Sequence, residues 1–162
     1  MEAKKVRIAT GTLETPEGAS LLVNIGEARR QQGDTNGALE HYMEAKRVRI
    51  ATDTVETPEG ASLLGGIGTA KAMQGDLDGA LQQFMEAKRI RIATGTLEAP
   101  DGASLLLNIG VVKSMQGDLN GALEQYMEAK RVFTTTGTLE TANAKYALDM
   151  IEWLQSELAQ GK

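Results

Sequence analysis

The stretch "GASLLGGIGTAK", from Gly60 to Lys71, carries four glycines and a trailing lysine, the composition of a loop that cradles phosphate. Such a loop works because backbone N–H groups approach the phosphate closely while a lysine neutralises it. It also needs a strand before it and a Ser or Thr after the lysine to hold magnesium. Ala72 follows Lys71, and no strand pattern precedes Gly60. The single histidine, His41, is the one candidate imidazole base. It aligns with Gln83 and Gln125, which marks a polar, solvent-facing place rather than a proton-transfer site. Acids recur at Glu14, Glu56, Glu98 and Glu140 and at Asp34, Asp76 and Asp118. One copy per period suits capping and solubility, whereas catalysis needs a convergence of unlike groups. Without cysteine there is no disulfide, thiolate nucleophile or Cys-based zinc site. The residues therefore predict no catalytic, cofactor or metal site and a chain that is not an enzyme.

These residues are positioned by a repeat. "MEAK" begins at Met1, Met43, Met85 and Met127, a period of 42 residues. The texts "RIATGTLETPEGASLL", "RIATDTVETPEGASLL" and "RIATGTLEAPDGASLL" return between those anchors, followed by "QGDTNGALEHY", "QGDLDGALQQF" and "QGDLNGALEQY". The expected units are 1–42, 43–84, 85–126 and a capping unit 127–162, all within a single array. Each unit predicts two helices. Thr57-Pro58-Glu59 offers an N-cap hydroxyl, a proline at the first helical position and an acid at the positive helix end. Ala61, Leu64, Ile67 and Gly68 then recur at helical spacing until Gly75, a left-handed stop. Asp76 caps the second helix, which carries Ala80, Phe84, Ala87 and Ile90 on one face, with Leu81, Met85 and Ile92 expected to widen it. Gly95 ends that helix. Asp53 stands in its place one unit earlier, and Asp tolerates the left-handed region better than most residues.

Gly26, Gly68 and Gly110 in the first helices, the "QGD" turns, and Ala38, Ala80 and Ala122 followed four residues later by Tyr42, Phe84 and Tyr126 together resemble the tetratricopeptide repeat (TPR). A period of 42 rather than about 34 residues resembles the longer variety of kinesin light chains and nephrocystin-like proteins. Leu22, Leu64 and Leu106 stand where that family often has tryptophan. The resemblance spans the whole chain. It implies an all-α right-handed solenoid of stacked antiparallel helix pairs, here closed by a C-terminal helix with a polar face ("EWLQSELAQGK"). It also implies a protein-binding scaffold whose first helices line a concave groove.

Differences between units gather in the first helices at Val23/Gly65/Leu107, Asn24/Gly66/Asn108, Glu27/Thr69/Val111, Arg30/Ala72/Ser114 and Gln31/Met73/Met115. Spacings of one, three and four residues put them on one side of the helix, the side that the resemblance assigns to a partner peptide. The expected groove is thus Val23, Asn24, Glu27, Arg30, Gln31, Gly65, Gly66, Thr69, Met73, Leu107, Asn108, Val111 and Met115. Drift at solvent-facing positions after duplication is the alternative. Gly65 and Gly66 replace Val-Asn and Leu-Asn, leaving either a socket for a partner side chain or a tolerated weak spot. TPR domains that clamp chaperone carboxylates use groove lysines; Ser20 and Ser104 stand there instead, which argues against that role.

Basic ladders (Arg29, Lys71, Lys113; Lys46-Arg47, Lys88-Arg89, Lys130-Arg131) are expected to be neutralised within their own helices, with Glu44, Glu86 and Glu128 three residues before the arginines. A net charge of −5 argues against a phosphate-tracking nucleic-acid binder. "MEAKKVRIAT" lacks a signal-peptide pattern and no apolar run reaches bilayer length. A cytoplasmic protein with a protein or peptide partner, and neither nucleic acid nor membrane, is the expectation. The segment at Ala3, Val6 and Ile8 reads as the second helix of a unit without its first. Its apolar face gives the rival reading, self-association through the N-terminus.

Overall fold

A computed structural model describes residues 13–161. Among them are seven α-helices and no strand: α1 (Pro16–Gln31), α2 (Thr35–Ala51), α3 (Pro58–Met73), α4 (Leu77–Ala93), α5 (Pro100–Met115), α6 (Leu119–Thr135) and α7 (Ala142–Ala159). The segment with Ala3, Val6 and Ile8 lies outside the described residues.

The helix ends follow from side chains that answer unpaired backbone groups. Thr15 Oγ1 accepts from the Gly18 N–H at 3.1 Å and Thr57 Oγ1 from Gly60 at 3.2 Å, each ahead of a proline at the first helical position. At α5 the cap position is Ala99, with no side-chain bond. Inside each hairpin the "QGD" turn does three jobs in three residues. In the second copy the Gln74 N–H closes onto the Ala70 and Lys71 carbonyls, Gly75 takes φ +84°, and Asp76 Oδ1 accepts from the Gly79 N–H at 2.9 Å. At the other hairpin exits the left-handed residue is Asp53 (φ 55°), Gly95 or Gly137 (φ 68° each). Asp53 is the only non-glycine with positive φ among the described residues.

The chain divides into two compact units between Ile90 and Arg91. In the first, α1 packs on α2 and α2 on α3; in the second, α5 packs on α6 and α6 on α7. Within each hairpin a first-helix glycine admits the aromatic of the second helix. A Cβ at Gly26 would sit 2.7 Å from Tyr42 Cε1, at Gly68 2.6 Å from Phe84 Cε1, and at Gly110 2.8 Å from Tyr126 Cε1. The three rings are fully buried, and the small residues are what let the backbones close on them. The second unit's core joins Leu106, Tyr126, Val132, Phe133, Ile151 and Leu154, among others. On α7, Trp153 is exposed while Ala144, Ala147, Ile151 and Leu154 face inward. Tyr146 presents its ring at 81° to Tyr126, with centroids 6.2 Å apart.

Two expectations about faces are corrected. Met85 and Ile92 do not widen the buried face of α4; both are exposed, as are Met43 and Ile50 on α2 and Met127 on α6. The inward face is satisfied by the narrower set Ala80, Phe84, Ala87 and Ile90. The arginines of the second helices also do not rely on the glutamate three residues before them. Arg47 reaches Glu14 at 2.8 Å, Arg89 reaches Glu56 at 2.6 Å, and Arg131 grips both oxygens of Glu98 at 2.6 and 2.8 Å. Each bridge ties the connection before the first helix to the second helix of the same hairpin. For Arg47 the Glu14 hydrogen bond is the largest influence, ahead of the charge of Glu44.

Candidate partner-binding site

The nominated positions do not form one uniform surface. On α1, Glu27, Arg30 and Gln31 are brought together around Tyr42. Arg30 donates from Nη2 to Glu27 Oε1 at 2.6 Å and from Nε to Oε2 at 3.0 Å, the bidentate geometry that strengthens such a pair. Gln31 and the Tyr42 hydroxyl each donate to Glu27 at 3.0 Å. The Arg30 guanidinium, above all, drops the Glu27 carboxyl to about 2. Burial, and then the hydrogen bond to Glu27, push the Tyr42 phenol up to about 12. Asn24 is exposed and borders a shallow hollow with Ile25, Ala28, Arg29 and Gln32; Val23 is half-buried.

On α3, a Cβ at Gly65 would meet nothing within 4 Å, whereas one at Gly66 would lie 3.3 Å from Tyr42 Cζ. Of the two extra glycines, one is open and the other sits against a buried ring. Thr69 donates to the Gly65 carbonyl at 3.0 Å, and Met73 is 55% exposed. On α5, Leu107 departs from its expected place in the groove: it is 6% exposed and belongs to the second unit's core. Val111 packs partly against that core, Asn108 is half-buried, and Met115 is 60% exposed.

The basic ladder of the first helices is absorbed by the "QGD" turns. Arg29 pairs with Asp34 at 3.2 Å, Lys71 with Asp76 at 2.6 Å and Lys113 with Asp118 at 2.6 Å. Those lysines, followed by the cap N–H of Gly79 or Gly121, hold the Asp76 and Asp118 carboxyls below the ordinary range. The lysine that closes "GASLLGGIGTAK" thus braces a helix cap. His41 is half-buried, its Nδ1 2.7 Å from the Gly37 carbonyl of its own helix. Among the described residues no cluster of three His, Cys, Asp or Glu could hold a metal ion, and no helix is long and apolar enough to cross a membrane.

One polar feature escaped the sequence reading. Arg49 on α2 is only 4% exposed, and its Nε has no hydrogen-bond partner. Its Nη2 donates to Ser20 Oγ at 3.2 Å. The available signal was alignment: Arg49 and Arg91 share their register with Phe133, and an aromatic there marks an inward position.

Helix pairs closed by capped turns, with a glycine of one helix seated on an aromatic of the next, define an all-α helical repeat protein of the solenoid class. The chain belongs to the tetratricopeptide repeat family, whose model matches residues 17–93 and again 61–135. No curated protein sequence matches it. Among solved structures it is similar to aspartyl phosphate phosphatase F from Bacillus subtilis (TM-score 0.76, 17% identity, 90% of this chain and 37% of that one). It is also similar to a chain of a T3SS complex from Aeromonas hydrophila (TM-score 0.73, 14% identity, 94% and 89% covered). PcrH in complex with the chaperone binding region of PopD gives a TM-score of 0.70 at 18% identity, with 87% and 93% covered; PcrH is a Pseudomonas aeruginosa protein. The chain spans 64% of BtubC from P. vanneervenii, another similar structure, and 37% of phosphatase F. At these identities the likeness is one of fold.

Proposed function

We propose that the chain is a non-catalytic protein-interaction scaffold that binds a partner peptide or helix on the face of its first helices. The observation that carries this reading is a pair of methionines at one repeat position, Met73 on α3 and Met115 on α5, both more than half exposed. A soluble surface that keeps large, adaptable apolar side chains at a recurring place suits a partner with its own apolar anchors. Membership of the tetratricopeptide family supports it, as does the likeness to PcrH, whose structure holds a region of PopD. On its 42-residue period we assign the chain to the longer, kinesin-light-chain-like variety of the repeat.

Leu107 is unsuitable as a probe, because Asp there would place a charge in the core. The test instead compares Met73→Asp with Met115→Asp against Met43→Asp with Met85→Asp, exposed on the second helices. Peptides selected from a display library on the parent protein are expected to lose at least about tenfold in affinity for the first pair and little for the second. Equal binding by the first pair, or loss confined to the second, overturns the assignment.

A further inference from the structure

We propose that α7 pairs, antiparallel, with the α7 of a second copy of this chain through the face that it turns to solvent. In α1, α3 and α5 the register of Lys145 holds Ala19, Ala61 and Ala103, and that of Glu152 holds Gly26, Gly68 and Gly110. Those small residues are buried, and the glycines seat the ring of the next helix. On α7 the same places carry Lys145 and Glu152, both exposed, so a helix of the repeat's own pattern does not fit there. The face is not plainly solvated either. Tyr146 is 43% and Trp153 46% exposed, where the other first helices carry Ser20, Ser62 and Ser104 or Glu27, Thr69 and Val111. Among the described residues these are the exposed aromatic side chains, and Trp153 is the only tryptophan in the chain.

The spacing on this face decides its occupant. Ala142, Tyr146, Asp149, Trp153 and Ser156 follow one another at alternating steps of four and three residues, the stripe along which two helices pair. At about 100° per residue, Lys145 and Glu152 lie to one side of Asp149, and Tyr146 and Trp153 to the other. A two-fold axis at Asp149 reverses the helix and keeps the sides. It sets Lys145 against Glu152 of the second copy, twice, along one edge. Along the other edge it sets Tyr146 against Trp153 of the second copy, also twice. Parallel pairing would instead bring each charge onto its own copy.

The groups are free to make these contacts. Glu152 has no ion pair with a described residue. Lys145 meets Glu140 at 3.4 Å, with side chains 61% and 95% exposed, a surface pair that yields readily. Tyr146 is already steadied by its edge-on contact with Tyr126. Only the centre is unfavourable, because Asp149, exposed and likewise without an ion pair to a described residue, meets its own copy. A charge at that place weakens the pairing while fixing its register. One helix pair covers less surface than a stable dimer needs, so the expected Kd is on the order of 0.1–1 mM.

Sedimentation equilibrium between about 10 µM and 1 mM tests the association, and the emission of the single tryptophan locates it. A monomer–dimer equilibrium is expected, with emission moving to shorter wavelength as the dimer forms. A chain monomeric throughout, or a dimer whose emission is unchanged, overturns the proposal. Trp153→Thr, which copies Thr69 at the same register, is expected to weaken the dimer at least about tenfold; unchanged association counts against the face.

Lys145→Glu and Glu152→Lys should each weaken self-association about tenfold. Mixed one to one, the two variants should associate as tightly as the parent, because opposite charges then meet along the edge at both places. Recovery in the mixture also shows that neither change has damaged the fold, and a mixture that stays monomeric sinks the antiparallel register. Asp149→Asn should tighten the dimer about fivefold by removing the facing charges; equal or weaker association speaks against a two-fold axis at that residue. None of these changes touches Met73 or Met115, so partner binding there is read separately.

Discussion

Three glycines within four residues of α3 are expected to respond to alanine in three different ways. Each replacement adds helix propensity worth up to about 1 kcal/mol, so the sign is set by what the new methyl meets. At Gly65 it meets nothing within 4 Å. Gly65→Ala should keep most of the gain and raise Tm by about 2–4 °C. At Gly66 the methyl lies 3.3 Å from Tyr42 Cζ, so the ring must yield by a few tenths of an ångström, and gain and cost roughly cancel. At Gly68 it would lie 2.6 and 2.7 Å from Phe84 Cε1 and Cδ1, in a fully buried ring with nowhere to retreat. Overpacking of that kind costs about 1–3 kcal/mol, which exceeds the propensity gain and leaves Gly68→Ala destabilised by up to about 2 kcal/mol. Urea unfolding followed by far-ultraviolet circular dichroism resolves the three. A Gly68→Ala protein as stable as the parent, or a Gly65→Ala protein less stable, would refute the reasoning. The pair Gly65→Leu with Gly66→Asn should gain less than Gly65→Leu alone, because asparagine presses on the ring whose hydroxyl holds Glu27.

The tyrosines give a second contrast. Tyr42→Phe forfeits a 3.0 Å bond to a carboxylate and should cost about 1.5 kcal/mol. Tyr126→Phe removes a buried hydroxyl that makes no well-formed hydrogen bond, with only the Ser114 and Tyr146 hydroxyls near it, and should cost less than Tyr42→Phe by thermal melts. Glu27 sets a pH dependence. Its carboxyl titrates at about 2 in the folded chain against an ordinary 4.5. Its stabilisation is therefore complete above pH 4.5 and is lost as the pH falls toward 2. Across that window the parent's Tm should fall more steeply than that of Glu27→Gln; parallel curves would remove Glu27 from the account. The difference is modest, because the side chain is 41% exposed and solvent screens it.

Much of the hairpin could be read directly from the chain. Thr57-Pro58 and Asp76 cap where their types require, and the recurring glycines marked where helices approach closely, while the ring seated on each of them emerged only from the structure. What periodicity could not settle was the width of each buried face. Met85 and Ile92 are apolar and lie close to the buried arc, yet they face water, since apolar residues cover much of any protein surface. Leu107 erred in the opposite direction, because variation among repeats marks places free to change and does not separate surface from core. The arginine bridges were missed because i,i+3 spacing offers a local partner, while the partner used lies 33 residues away across a turn. Arg49 was passed over because arginine is almost never fully buried.

Those bridges have a consequence for how such a chain comes into being. Arg47–Glu14, Arg89–Glu56 and Arg131–Glu98 each open and close within one period, as do the braced aspartates and the glycine-aromatic seats at Tyr42, Phe84 and Tyr126. A copied stretch of gene encoding one period would arrive with all of its internal fastenings already matched. Lengthening by duplication then requires no simultaneous second change. The near-verbatim text of the repeats is what such copying leaves behind.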